Sequence, residues 1–518
     1  MARYLGIDAS TQSLTGLIID SDRREIVAEA SIQYDDYFAD SYGVKNGVVD
    51  QGDGVVNCNP LMWVEALDLL LNTLRREGHD LSSVAAVSGS GQQHATVYLN
   101  EDALPALAGL TPDKPLSSQL AGIFSHQSSP VWMDSSTTQQ CREIETAIGG
   151  TEALLKLTGN PAFERFSGPQ IRKFFQQEPK AYERTTHIAL VSSFIASLLA
   201  GSVVPLEPGD ASGTNLMDIH RRAWSERALA ATAPGLDERL APIVPSGRPV
   251  GVVHPYFISR YGFADGCIVA PFSGDNPCSL IGLGMVEPGQ VALSLGTSDT
   301  LFACLNEPRP SSTGEGCIFA SPDDLHYLAL TCFMNGSLAR DAIRRQYGLN
   351  WASFEDYLAQ TNPGNEGKIM LPYFEPEIVP KAPAGIIRRG LGDTEIAANV
   401  RAVVEAQAMS SRLHSKWMGV DISSLYITGG ASANDEIAQV FANVHGCPVI
   451  QGETTNAAAF GAALKAYKAH RQELGWSSIV ESFQPSNPRR IDPDPATRTV
   501  YDDLINKFSE LETRSNIG

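Results

Sequence analysis

The run Val291-Ala292-Leu293-Ser294-Leu295-Gly296-Thr297-Ser298-Asp299-Thr300-Leu301-Phe302 decides the fold, because it echoes an earlier one. That earlier run is Leu5-Gly6-Ile7-Asp8-Ala9-Ser10-Thr11-Gln12-Ser13-Leu14-Thr15-Gly16-Leu17-Ile18-Ile19-Asp20. Each copy reads as an apolar strand, a tight turn rich in Gly, Ser and Thr, and a second apolar strand. Such a turn aims backbone N–H groups and hydroxyls into one concavity, which suits a phosphate chain. Two of them in one chain predict a duplicated fold gripping one nucleotide from both sides, a kinase-like arrangement.

Length supports the duplication. A chain of 518 residues exceeds the size at which a single core keeps growing, so two domains of about 250 residues are expected. Hydrophobic content of 43% with 19% charged residues is that of an ordinary globular protein. A net charge of −20 argues against a nucleic-acid partner, which needs a basic footprint. A nucleotide ligand remains compatible with it, because backbone donors and a metal ion meet that charge locally. Eight cysteines form no C-x-x-C pair, and no His cluster has zinc spacing, so buried, reduced thiols in a cytoplasmic protein are expected. The N-terminus enters a strand without a signal-peptide pattern, and no run of about 18 apolar residues suggests a membrane span.

Working outward, strands are predicted at 4–7, 15–19 and 26–32, followed by a polar, Gly-rich loop over 36–59. Pro60–Arg76 reads as a helix, with Pro in its first turn and Trp63, Leu67, Leu70, Leu71 and Leu74 on one face. The strand 84–87 runs into Ser88-Gly89-Ser90-Gly91-Gln92-Gln93-His94-Ala95, and 96–99 resumes extended structure. Residues 101–118 read as a Pro-punctuated connection, and the chain turns again near 210–215. Helices are expected over 136–148, 168–177 and 190–199. A buried strand at 267–272 precedes Ser273-Gly274-Asp275-Asn276-Pro277 and a helix through Leu283. The segment 284–290 reads as the link into the second hairpin, which divides the chain into domains 1–283 and 284–518. Further helices are expected over 337–346, 401–417, 435–445 and 456–470, with strands at 425–428 and 448–450. A final helix carries Val500, Tyr501, Leu504, Ile505, Phe508 and Leu511 on one stripe. Strands alternating with helices mean α/β sheets with covered faces.

Several common motifs are missing. Gly367-Lys368 is followed by Ile369, so there is no Walker-type loop, and no G-x-G-x-x-G, H-E-x-x-H or G-x-S-x-G is completed. Three residues each carry two readings. Asp8 ends a buried strand, where a carboxylate either caps structure or binds a metal ion that relieves its burial. Asp275 either N-caps its helix or orients and deprotonates an attacking hydroxyl. His94 is either a satisfied structural histidine or, with Gln92 and Gln93, part of a polyol site. Gly429-Gly430 after a strand is turn chemistry or a close backbone approach to a flat ligand.

The order of these elements resembles the FGGY carbohydrate kinases over nearly the whole chain. The resemblance rests on Gly6-Ile7-Asp8, Ser88-Gly89-Ser90-Gly91-Gln92-Gln93-His94, Glu164-Arg165-Phe166-Ser167-Gly168 and Ser273-Gly274-Asp275-Asn276-Pro277. It continues through Leu295–Phe302, Asn335-Gly336-Ser337 and Thr428-Gly429-Gly430-Ala431-Ser432. It implies two actin-like (ribonuclease H-like) α/β domains with a cleft that closes on substrate. It also implies an N-terminal domain that binds sugar and a C-terminal one that binds ATP. The activity implied is ATP-dependent phosphorylation of the C5 hydroxyl of D-xylulose, with another pentulose or polyol, or a binding-only regulator, as alternatives. By the same resemblance His94, Arg165, Asp275 and Asn276 bind the ketose, with Asp275 as base. Ser10, Thr11, Gln12, Gly296, Thr297 and Ser298 hold the phosphates of ATP. Trp351, Gly429, Gly430 and Asn434 lie at its adenosine end, and Asp8 takes part in holding Mg2+. The partners implied are a small ketose and ATP, with neither nucleic acid nor membrane, and the family is compatible with a homodimer.

Overall fold

The computed structural model describes residues 2–452, 456–484 and 488–515. The chain divides into two compact units: Met1–Val286 with Ile318–Tyr327 and Asn456–Phe483, and Glu287–Cys317 with Leu328–Thr455 and Gln484–Gly518. The first crossing, at 286/287, lies close to the expected junction at 283/284. The later return of two segments to the first unit is a tertiary effect with no marker along the sequence.

In the first unit the opening hairpin forms as read. Strand Arg3–Ala9 pairs antiparallel with Ser13–Asp20, which pairs antiparallel with Glu25–Gln33. On its other side Arg3–Ala9 runs parallel to Val84–Gly91, which runs parallel to Ile268–Val269 and Ser273–Gly274. Gly251–Val252 closes that edge antiparallel. One sheet face is covered by helix Pro60–Arg76, capped by the Asn59 side chain and burying Trp63, Leu67, Leu70, Leu71 and Leu74. The other face is covered by the alanine-rich helix Ala457–His470. Its backbone lies so close that a Cβ on Gly6 would stand 2.0 Å from the Ala459 carbonyl oxygen. Only glycine fits there, and the small alanines opposite permit the approach.

The second unit repeats this order. Strands Tyr327–Phe333, Asp299–Leu305, Val291–Leu295, Leu425–Thr428, Val449–Gln451 and Arg489–Ile491 follow one another across a sheet. Val291–Leu295 is antiparallel to Asp299–Leu305 and parallel to Leu425–Thr428, as Arg3–Ala9 is to its two neighbours. Val449–Gln451 continues parallel and Arg489–Ile491 ends antiparallel. The duplication expected from the two hairpins therefore extends to whole sheets.

Some local expectations are corrected. Residues 36–59 are not one loop: they hold helix Tyr34–Tyr42 and strands Val49–Gly52 and Val55–Cys58. Tyr34 and Phe38, four residues apart, are both buried and give that polar helix its inner face. The connection 101–118 contains helices Ala103–Ala108 and Leu116–Leu120, and the turn near 210 is helix Pro208–Ser212. The strand expected to stop at Val87 continues to Gly91, and the one expected over 267–272 shrinks to Ile268–Val269, with Ser273–Gly274 a separate short strand beyond it. In the last helix Tyr501, Leu504, Ile505 and Phe508 are buried, while Val500 is 42% exposed. None of the eight cysteines is joined in a disulfide. Among the described residues no helix is long and apolar enough to cross a membrane.

One buried cluster of the second unit carries a pH prediction. His414 meets Glu315 through Nδ1 at 2.8 Å and Glu512 through Nε2 at 3.2 Å. Burial alone would lower its pKa, but the hydrogen bonds and charges of the two carboxylates outweigh this and raise it to about 9. A folded pKa above the unfolded value of about 6.5 stabilises fully below that value and is lost as pH rises through about 9. Thermal melts of His414→Gln are expected to show a deficit on the order of 2 kcal/mol at pH 6, shrinking by pH 10. A deficit that is the same at both pH values would contradict the charged pair.

Candidate active site

The first unit gathers its candidate residues at the carboxyl ends of its parallel strands, where α/β sheets keep ligands. Asp8 stands opposite Ser90 in the ladder, and Ser90 stands opposite Ser273. Asp275 follows two residues later as the first residue of helix Asp275–Gly282. Strand register thus sets the segments that carry the two carboxylates side by side.

Asp8 is buried and accepts hydrogen bonds from Ser90 Oγ at 2.7 Å and from Ser10 Oγ. Burial raises its pKa, and the two hydroxyls partly offset this. A carboxylate so placed, met by hydroxyls and close to a second acid, is a hard oxygen donor suited to Mg2+. Asp275 is half-buried; its Oδ1 accepts the Asn276 N–H at 2.8 Å and Asn276 Nδ2 at 3.0 Å. Burial, and next the charge of Asp8, push its pKa up to about 7, which poises it as a proton acceptor near neutrality.

Asn276 also donates from Nδ2 to Gln93 Oε1 at 3.0 Å. Gln93 is buried and packs against Gly274, and its Nε2 has no hydrogen-bond partner. Beside it His94 sits at φ +76°, an uncommon conformation for a non-glycine residue. His94 Nδ1 meets the Gly213 carbonyl oxygen at 2.6 Å. A carbonyl only accepts, so Nδ1 carries the proton and Nε2 is an acceptor. Burial, then the Arg165 charge, lower the His94 pKa to about 3, so the ring is neutral at physiological pH. Its ring lies 4.5 Å from that of Phe166, and the Arg165 guanidinium lies 5.0 Å from the Phe163 ring centre. The structure therefore brings together Asp8, His94, Arg165, Asp275 and Asn276.

The turn Ser10–Gln12 joins the two hairpin strands, with Gln12 exposed. Thr11 Oγ1 accepts the indole N–H of Trp132 at 2.8 Å, and that tryptophan is 44% exposed. Neither Trp132 nor the Gly213 carbonyl carries a sequence signal; both arrive by tertiary contact.

In the second unit the Gly296–Ser298 turn is seated on the start of helix Ser337–Gln346. Ser337 N–H donates to the Gly296 carbonyl at 2.8 Å, and Leu338 N–H to that of Thr297 at 3.4 Å. Asp299, just past the turn, is buried and bidentate with Arg340, both contacts at 3.2 Å. Gly429 follows the neighbouring strand at φ +89°, and a Cβ there would lie 2.6 Å from the Leu295 carbonyl oxygen. Glycine is required on both counts, and it sets Gly429-Gly430 beside the Gly296 turn. Asn434 caps helix Asp435–His445, its Oδ1 accepting Ile437 N–H at 2.9 Å. Trp351, 48% exposed, opens helix Trp351–Ala359, which packs on that same helix. Its ring lies under the Arg344 guanidinium at 5.2 Å.

Comparison with known proteins identifies the family. Residues 127–282 match the N-terminal domain, and residues 291–470 the C-terminal domain, of the FGGY family of carbohydrate kinases. The chain is 42% identical to "Xylulose kinase" of Mus musculus, over 98% of this chain and 94% of that protein. It is also 42% identical to "Xylulose kinase 2" of Arabidopsis thaliana, over 91% and 87% of the two chains. Among solved structures, xylulose kinase from Rhodospirillum rubrum superposes with a TM-score of 0.84 at 20% identity, covering 99% of this chain and 98% of that one. Family domains in order, long relatives and a shared fold agree, and the chain belongs to the FGGY family of carbohydrate kinases.

Proposed function

We propose that this chain transfers the γ-phosphoryl group of ATP to the C5 hydroxyl of D-xylulose. The observation that carries the chemistry is Asp275, half-buried at a helix start with its pKa near 7 and grouped with neutral His94, Asn276 and Arg165. The names of the relatives support the ketose. Eight cysteines without a disulfide among them fit a cytoplasmic location.

In this reading His94 Nε2 accepts a ketose hydroxyl, while Asn276 and Arg165 donate to ketose oxygens. Asp275 takes the C5 hydroxyl proton as O5 bonds to the γ-phosphorus and the bond to the β-phosphate oxygen breaks, releasing ADP. The turns Ser10–Gln12 and Gly296–Ser298 hold the phosphates of ATP, and Trp351, Gly429, Gly430 and Asn434 hold its adenosine. Residues 1–283 supply the sugar site and base, and residues 284–518 supply most of the ATP contacts. Asp8 takes part in binding Mg2+, which neutralises phosphate charge when present.

Phosphorus-31 NMR of the product tests the regiochemistry: coupling to the C5 protons is expected, and phosphate on any other carbon would overturn it. His94→Ala is expected to raise the ketose KM about tenfold or more with kcat changed far less, the pattern of a lost binding contact. An unchanged KM in the folded variant would remove His94 from the sugar site.

A further inference from the structure

Behind the site, within the first unit, lies a buried ion pair. Glu207 is 0% and Lys465 1% exposed, with Nζ 4.0 Å from Glu207 Oε2. Such a pair is weak evidence for stability, because desolvation offsets most of its attraction. Its hydrogen bonds point elsewhere. Glu207 Oε1 accepts the hydroxyl of Ser273, two residues before Asp275, and the N–H of Asp210 at 2.9 Å. The second bond caps helix Pro208–Ser212, at whose end the Gly213 carbonyl accepts the hydrogen bond of His94 Nδ1–H. One carboxylate oxygen therefore joins the strand end leading to Asp275 with the short helix that orients His94. Lys465, whose Nζ also donates to Ser246 Oγ at 2.9 Å, anchors the carboxylate from helix Ala457–His470.

We propose that Glu207 is a positioning residue for the phosphoryl-transfer site, fixing Asp275 through Ser273 and His94 through the Gly213 carbonyl. The inference rests on the roles given above to Asp275 and His94. It adds that their separation is set by a single buried acceptor rather than by the sheet alone. In-line transfer depends steeply on such spacing, since a shift of about 1 Å can cost about 10² in rate.

The test compares three variants, each measured for kcat and ketose KM alongside Asp275→Asn. Ser273→Ala cuts only the arm to Asp275, so kcat is expected to fall about tenfold with KM within about twofold. Glu207→Leu with Lys465→Met cuts both arms, and should lower kcat and raise KM together. Glu207→Gln with Lys465→Met keeps an acceptor oxygen at the same place and should return both constants to within about threefold of the parent. The inference is overturned if Ser273→Ala, which removes one hydroxyl, leaves kcat unchanged. It is also overturned if the Gln/Met variant is as impaired as the Leu/Met one, since the carboxylate would then act through charge or folding. If Asp275→Asn itself retains activity, the catalytic reading fails instead, and the two failures are told apart.

Discussion

Asp275→Asn is expected to lower kcat by about 10²–10⁴, the range that a positioned general base supplies. The substitution keeps volume and an oxygen able to accept the Asn276 N–H, so the helix start is preserved, while the proton acceptor is lost. The same residue predicts the pH profile. With its pKa near 7, set first by burial and then by the Asp8 charge, it is progressively protonated below neutrality. A protonated carboxyl cannot accept the sugar proton, so kcat/KM for the ketose should fall about tenfold per pH unit below about 7. His94 adds no limb there, since its pKa lies near 3. Near-normal turnover in Asp275→Asn, or a kcat/KM flat from pH 8 to pH 5, would remove Asp275 as the base.

Arg340→Leu is expected to destabilise the second unit by about 3–5 kcal/mol. Arg340 is fully buried, bidentate to Asp299, and gives a further bond at 2.8 Å to Gln407 Oε1. Gln407 in turn donates at 2.7 Å to the carbonyls of both Asn335 and Gly336, which lead into the helix under the Gly296–Ser298 turn. Removing the guanidinium leaves an uncompensated buried carboxylate, which costs far more than the intact pair contributes. Burial already raises the Asp299 pKa and Arg340 opposes this, so the variant raises it further. A folded pKa above the unfolded one makes stability fall as pH rises, so the deficit should deepen from pH 4 upward. Urea denaturation of Arg340→Leu and of Asp299→Asn/Arg340→Leu at pH 5 and pH 8 checks this. A deficit under about 1 kcal/mol at pH 8, or no recovery in the double variant, would contradict it.

The fold was legible where chemistry is local. Helix Asp435–His445 stands as read because Asn434 caps its start and Gly446 its end. Helix Pro60–Arg76 stands because its apolar stripe and its N-terminal proline are both written in the sequence. Helix Tyr34–Tyr42 was not legible, because its buried residues are sparse among acidic and aromatic neighbours. The return of Asn456–Phe483 to the first unit was not legible either, since what fixes it is a fit such as that of Gly6 against Ala459.

The site divides in the same way. Asp8 and Asp275 stood out as acids at the ends of strands, each with a structural and a functional reading, but the register that sets Asp8, Ser90 and Ser273 in one row was not visible in the sequence. Gln93 to Asn276, Glu207 to Ser273 and Arg340 to Asp299 join residues 183, 66 and 41 positions apart. Such partners are chosen by the folded chain, and no spacing rule reaches them.

The most direct measurement is coupled ADP release with MgATP against D-xylulose, L-xylulose, D-ribulose, L-ribulose, glycerol and no sugar. Strong turnover with D-xylulose, and little with the others, is the expected result. Preference for another ketose or a polyol would keep Asp275 and the chemistry but contradict the substrate. No turnover with any sugar, in a folded protein that binds ATP, would contradict the kinase reading itself.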